Sequence, residues 1–224
     1  MFTFKGIHAD TYKVVVNKLP PFKSPSVKTK VYNVDGYDGA IVESLGLQPY
    51  TLPVTITLMD LTHLDDVMAW LSGSGVLIRD EDDTKYLNVA IYNELEYEYL
   101  KKQKKTTFEF YVADPFRYVL DEPNLTLTAA GNVSYSGTYD GLPLLKITGS
   151  GVVQVSVGDF VFDYDFDGDT VVWVDSKIKE TYNSVGLTNR RFTGEFPKLV
   201  NGNNAVSWTG TITEIIVTKR TRYI

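Results

Sequence analysis

Apolar and polar residues alternate along most of this chain. Val54, Ile56 and Leu58 alternate with Thr55 and Thr57, Leu87, Val89 and Ile91 with Asn88 and Ala90, and Phe108, Phe110 and Val112 with Thr107 and Glu109. A period of two sends successive side chains to opposite faces of a strand, so each segment predicts a sheet with one face on a core and one on water or a partner. Further strands are expected at 144–148, 152–157 and 211–218. The chain reads as mainly β.

The same alternation places Leu95, Tyr97 and Tyr99 between Glu94, Glu96 and Glu98, followed by Lys101, Lys102, Gln103, Lys104 and Lys105. It predicts a stiff extended arm, with Leu95, Tyr97 and Tyr99 as core or interface anchors and the lysines on an exposed tip. Such an arm serves a contact between copies or stands as an edge strand protected by its glutamates. The basic run itself reads as a solvated tip or as a contact for phosphate or an anionic partner.

One segment has a different period. In LTHLDDVMAWLSGSG, Leu61, Leu64, Val67, Met68 and Leu71 fall at helical spacing, which predicts a helix over 62–72. Thr62 is the expected cap, Asp65 and Asp66 oppose the positive end of the dipole, and Gly73 and Gly75 stop the helix.

The stretch DYDFDGDTVVWVD, residues 163–175, nearly spells the opening of an EF-hand calcium loop. Position 12, where a bidentate glutamate is needed, falls on Val174, and the flanks alternate Phe160, Phe162, Tyr164 and Phe166 as a strand does. The expectation is a hairpin, with strands 159–164 and 170–175 around an Asp167-Gly168 turn. The acidic run Asp80, Glu81, Asp82, Asp83 reads as an exposed turn before a site for a divalent cation. Near Glu122 and Pro123 a domain junction is expected, dividing the chain into 1–122 and 123–224, because proline lacks the amide donor a sheet needs.

Composition narrows the chemistry. At 224 residues the chain can bury a large core, and with no cysteine it has neither disulfides nor thiolate metal ligands. Residues 1–20 lack the apolar core of a signal peptide and no apolar run approaches the ~20 residues of a membrane helix, so a soluble protein made in a cytoplasm is expected. Net charge is -6, with 13 Lys/Arg against 18 Asp/Glu up to Glu122 and 9 against 10 after it. Neither half is basic enough for sequence-specific nucleic-acid binding. No HExxH helix, phosphate loop or G-x-S-x-G elbow occurs, and His8 and His63, the two histidines, read as surface or capping residues. No catalytic, cofactor-binding or metal-ligating residue is singled out. Trp173 and Trp208 could present a saccharide platform or pack in a core, and a carboxylate pair for glycoside hydrolysis would leave no local spacing to find.

Two stretches go further. VYNVDGYDGAIVESLGLQPYTLPVTITL precedes the helix, the strand pair and TTFEFYVADPFRYV, while GLPLLKITGSGVVQVSVGDFVF leads through VDSKIKETYN to GEFPKLVNGNNAVSWTGTITEIIVTKRTRY. The Gly36-x-x-Gly39 turn, Asp114-Pro115-Phe116 and Phe196-Pro197-x-Leu199-x-x-Gly202-Asn203 are each common locally, and their order carries the likeness. Over almost its whole length the chain resembles the distal tail protein (Dit) family of long-tailed bacteriophages that infect Gram-positive bacteria. The resemblance implies an amino-terminal β-sandwich of tail-tube type, with one helix and an extended hairpin, and a carboxy-terminal galectin-like jelly roll. It implies a homohexameric ring through the first domain, joining the major tail tube protein to a tail-associated lysin or fibre, with a channel for DNA and the tape measure protein as a further partner. The place would be the virion tail tip, assembled in the host cytoplasm without membrane insertion, cofactor or catalysis. The galectin pattern H-x-N-P-R followed by W-x-x-E-x-R is missing, since no histidine follows His63, so sugar binding does not come with the shape. Inserted carbohydrate-binding modules, found in some of the family, have no room here. The readings from other classes are a cell-wall saccharide adhesin using the second domain and a cryptic hydrolase.

Overall fold

A computed structural model describes residues 1–36 and 38–224; Tyr37, inside the Gly36-x-x-Gly39 turn, lies outside the described residues. The chain forms two compact units, Met1–Leu120 with Ile224, and Asp121–Tyr223. Both are built on antiparallel strands.

The first unit contains β1 (Phe2–Phe4), β2 (Ile7–His8), β3 (Val14–Lys18), β4 (Val27–Tyr32), β5 (Ile41–Leu47), β6 (Tyr50–Leu58), α1 (Leu64–Trp70), β7 (Gly73–Arg79), β8 (Asp82–Ile91), α2 (Tyr97–Gln103), β9 (Lys105–Val112) and β10 (Arg117–Val119). Its main sheet runs in the order β2-β1-β7-β8-β9-β6-β3, with β10 alongside β8, while β4 and β5 pair only with each other. Alternation in β6 buries Leu52, Val54, Ile56 and Leu58 against Phe2, Phe4, Phe108 and Phe110. Phe110 meets Phe2, Phe4 and Phe108 edge-on at ring-centroid distances of 5.6, 5.2 and 5.1 Å, the geometry that ring quadrupoles favour.

Helix α1 covers this core with Leu64, Val67 and Trp70, and Trp70 Nε1 donates to the Phe4 carbonyl at 2.8 Å. The cap is Asp60 rather than Thr62. Its carboxylate accepts the Thr62 amide at 3.0 Å and the Thr62 hydroxyl at 2.8 Å, opening a 3-10 turn over Leu61–His63 that leads into the helix. Asp60 stands one residue before the turn in extended conformation, where an N-cap belongs.

The second unit contains β11 (Leu125–Leu127), β12 (Gly131–Tyr135), β13 (Leu144–Val157), β14 (Phe160–Asp165), β15 (Val171–Asp175), β16 (Glu180–Tyr182), β17 (Phe192–Gly194) and β18 (Gly202–Thr218). Its sheet runs β11-β18-β13-β14-β17, with β12 on β18 and β15-β16 on β13. The long strand β13 organises the unit. Its Val153, Val155 and Val157 and its Leu145 and Ile147 point into one core with Phe162, Tyr164, Phe166, Val172, Val174 and Val206.

The expected hairpin between 159–164 and 170–175 is corrected. Both strands exist, yet they do not pair with each other: β14 pairs with residues 152–157 of β13, and β15 with residues 144–148 of the same strand. The intervening Asp165–Thr170 corner lies opposite Gly149 and Gly151, whose backbones bond to Thr170 and Phe166. The predicted turn is present, the Asp169 amide donating to the Phe166 carbonyl at 2.8 Å across Asp167 and Gly168, both at positive φ, while the fully buried Phe166 draws it inward and away from a direct pairing of β14 with β15. Arg191 fastens it, donating to Asp169 at 2.6 Å, to Asp167 at 3.0 Å and to the Phe166 carbonyl at 3.0 Å.

Candidate functional site

The most exposed ordered structure of the first unit is the β4-β5 hairpin. Every residue of β4 is exposed, as are the first five of β5. Val27, Thr29 and Val31 lie opposite Leu47, Ser44 and Val42, and residues directly opposite share a face. Two of the three pairs on that face are apolar, Val27 with Leu47 and Val31 with Val42, on either side of Thr29 with Ser44, and Val31 is 56% and Val42 60% exposed. Lys30 and Tyr32 oppose Glu43 and Ile41 on the other face. That face is satisfied within itself: the Tyr32 hydroxyl donates to Glu43 at 2.9 Å, and Lys30 Nζ stands 4.6 Å from the Tyr32 ring centroid. Gly46, at φ +97°, takes the extra residue that shifts the register between Val27 and Thr29. An isolated two-stranded hairpin is marginal in water, so an ordered one with a bare apolar strip is suited to a partner.

The segment expected to be the arm is something else. Tyr97–Gln103 is the helix α2, not a strand, and Leu95 lies outside regular structure, half-buried against the first core. Leu100 is the one buried residue of α2. Tyr97 and Tyr99 are 39% and 53% exposed, and Lys101, Lys102, Lys104 and Lys105 are exposed too. The alternation of glutamate and tyrosine misled here because Glu, Leu, Lys and Gln are strong helix formers. Glu98 in the first turn and Lys101 and Lys102 in the last also match the helix dipole. Lys104, at φ +55°, closes the helix with its amide on the Leu100 carbonyl at 2.8 Å, and its own carbonyl accepts from Leu58. The missed arm at 27–47 had its own signal, V-K-T-K-V-Y and I-V-E-S-L.

The remaining chemistry-bearing residues are engaged locally. His8 Nδ1 accepts the Asp10 amide at 3.2 Å and its Nε2 meets Asp80 at 3.3 Å, while His63 pairs with Asp66 at 3.4 Å. The acidic run divides among separate cations, Glu81 on Arg79 and Asp82 on Lys85 and Arg117. Burial raises the Asp82 carboxyl, but Thr84, Lys85 and Arg117 together hold it below the usual carboxylate range. Trp208 packs on the second core, and half-buried Trp173 stacks on Tyr182 at 5.8 Å with the rings 5° apart. Among the described residues no group of three or more acidic or histidine side chains is placed to hold a metal ion, and no helix is long and apolar enough to cross a membrane.

No family model and no curated protein sequence matches the chain. Among solved structures, the Dit protein of phage SPP1 aligns over 96% of this chain and 97% of its own, at 14% identity and a TM-score of 0.72. The chain has the Dit fold. A chain of the phage P2 baseplate in its activated conformation with calcium also aligns, over 96% of this chain and 93% of its own, at 7% identity and a TM-score of 0.47. The first match spans both units, so the Dit fold accounts for the whole chain as mainly β, with an extended hairpin that lies at 27–47 and two short helices rather than one.

Proposed function

We propose that this protein is a structural hub subunit of a long-tailed phage tail tip, closing a homohexameric ring through its first unit. The Dit protein of SPP1 is described as a paradigm of the hub adsorption apparatus in phages infecting Gram-positive bacteria. The observation that carries the reading is the β4-β5 arm, an ordered hairpin whose apolar strip of Val27, Val31 and Val42 meets no core of its own. A head-to-tail contact repeated around a symmetry axis closes a ring, and each contact should bury at least about 1,000 Å². Exposed Tyr97 and Tyr99, with Lys101, Lys102, Lys104 and Lys105, offer a second contact at the end of β6 and β9 away from the arm, since Lys105 lies opposite Thr57 while the arm enters β6 at Tyr50. The ring would sit between the major tail tube protein and a tail-associated lysin or fibre, around a channel for DNA and the tape measure protein. The role is mechanical, in the virion, after assembly in the host cytoplasm.

Light scattering of the full chain tests this, with a mass of six 25.2 kDa protomers expected. A lone protomer at every concentration up to the solubility limit overturns it.

A further inference from the structure

The arm joins its unit through a cluster of charges and rings at its root. The chain leaves the first core at Leu19 and Phe22, which both pack against it, and returns at Tyr50, which does the same. Between these points the arm is closed at its base, where the Gln48 amide donates to the Ser26 carbonyl at 2.8 Å. Pro20 and Pro21 fix φ on the outgoing side.

Two guanidinium groups flank this root. Arg79, the last residue of β7 and 3% exposed, donates to the Pro20 carbonyl at 2.7 Å and lies 4.2 Å from the Phe22 ring centroid. Arg117 on β10 stands 4.6 Å from the same centroid and pairs with Asp82 at 3.0 Å. Two cations around one ring repel each other. Glu81 on Arg79 and Asp82 on Arg117 offset that repulsion, and the negative ring face attracts both. Arg79 Nε is buried with no hydrogen-bond partner, so the guanidinium is held by Pro20, Glu81 and the ring. On the returning side, Tyr50 feels both charges: burial raises its hydroxyl pKa, and Arg117 and Arg79 oppose that rise.

We propose that Phe22, Arg79 and Arg117 are positioning residues that set the direction in which the arm leaves the first unit. The inference deepens the ring reading and rests on it for its purpose, though the clamp is measurable without a ring. Direction matters because a heterologous contact closes only at one rotation per subunit. With a rise of about 3.3 Å per residue, a seven-residue strand tilted by about 10° at its root displaces its tip by about 4 Å, far more than a hydrogen bond tolerates.

The absence of cysteine allows a clean test. Spin labels at Thr29→Cys on β4 and Asn88→Cys on β8, both exposed positions, report the arm-to-body distance by pulsed electron resonance in full-length chain diluted with unlabelled protein. We expect one narrow distance in the parent and a distribution at least twofold broader in Phe22→Leu, which keeps apolar volume but has no ring face. Phe22→Tyr should restore the narrow distance. Arg117→Gln, away from the core, should broaden it too and guards against a folding defect in the leucine variant. Distributions in Phe22→Leu and Arg117→Gln as narrow as the parent's, or failure of Phe22→Tyr to give the narrow distance, overturn the clamp. In light scattering of unlabelled chains, Phe22→Leu should need at least tenfold more protein to assemble. Parent protein that stays monomeric while Phe22→Leu broadens the distance keeps the clamp and removes the ring.

Discussion

The β4-β5 arm and the β13-β14 hairpin are written in the same kind of sequence and end in opposite surroundings. V-K-T-K-V-Y in β4 and V-V-Q-V-S-V in β13 both alternate. In the second unit Val153 and Val155 oppose Tyr164 and Phe162, and all four are buried. Gln154 on the outer face donates to Asp163 at 2.9 Å. In the arm the equivalent apolar pair, Val31 opposite Val42, is more than half exposed on both sides. Alternation thus specifies a strand with two unlike faces, while what covers the apolar face is decided by the rest of the molecule or by another one. On the arm, nothing among the described residues covers that face.

The sharpest way to break this contrast is to remove apolar volume from each hairpin. Phe162→Ala should cost about 3–5 kcal/mol, because a fully buried aromatic leaves a cavity the sheet cannot collapse into. Val31→Ala should cost less than about 0.5 kcal/mol, as for surface changes generally. Denaturant unfolding of monomeric full-length chain measures both. A loss in Val31→Ala approaching that of Phe162→Ala would mean the arm already packs within its own protomer.

The charge pairs extend the comparison with a smaller effect. In the second unit Arg220 grips Asp175 through two bonds of 2.6 and 2.8 Å, with the carboxylate 7% exposed. On the arm Lys30 merely opposes Glu43 in water. Arg220→Ala should cost about 2 kcal/mol, since hydrogen bonds to charged groups are worth more when screened less; Lys30→Ala should cost less than about 0.5 kcal/mol. Burial raises the Asp175 carboxyl, but Arg220 and the Lys177 and Ile178 amides outweigh it and hold the folded-state value below normal. A depressed folded value means stabilisation that is complete above the unfolded value of about 4 and lost as pH falls through the folded one. The gap in urea midpoint between parent and Arg220→Ala should therefore narrow between pH 7 and pH 3. A constant gap would remove Asp175 as the titrating partner.

Much of this fold was legible in the sequence, and the failures have a common cause. Strands at β6, β8 and β9 and the helical stripe of Leu64 and Val67 follow from periodicity, because one period is enough when a single face is buried. Trp70 escaped that stripe although it is one of the residues that seal α1 to the sheet. Which strands pair was not legible. β14 and β15 share one long partner instead of each other, a choice made by the buried Phe166 corner and Arg191, about twenty residues downstream. Sequence alone points to an arm at Leu95, Tyr97 and Tyr99 because alternation is more conspicuous there than at Val27 and Val31. Five strong helix formers among the seven residues of α2, with Leu100 as the apolar anchor, favour a helix regardless of a brief period of two.

A change of sign on the arm separates folding from assembly. Val31→Asp with Val42→Asp puts two charges on a strip that is solvated in the lone protomer, so the thermal midpoint of monomeric protein should move by only a few degrees. Burying two carboxylates against a partner is costly, and assembly in light scattering should be abolished. Full assembly would take the arm out of the contact.

The smallest effect is expected from α2, where the comparison is between two exposed surfaces of the same unit. Tyr97 and Tyr99 project from a seven-residue helix held to the core by Leu100 alone, and Lys101 Nζ lies 5.8 Å from the Tyr97 ring centroid, a contact worth under about 1 kcal/mol at an exposed site. Tyr97→Asp with Tyr99→Asp removes two aromatic faces and lowers helix propensity by a few tenths of a kcal/mol per residue. Fraying of a surface helix leaves β8 and β9 in place, since neither borrows its ladder from α2. If α2 supplies a second contact in addition to the arm, this variant should assemble at several-fold higher protein concentration than the parent and still reach the same final mass. An unchanged concentration dependence would confine the contact to the arm, and loss of assembly as complete as in the Val31 and Val42 double variant would reverse the ranking of the two surfaces.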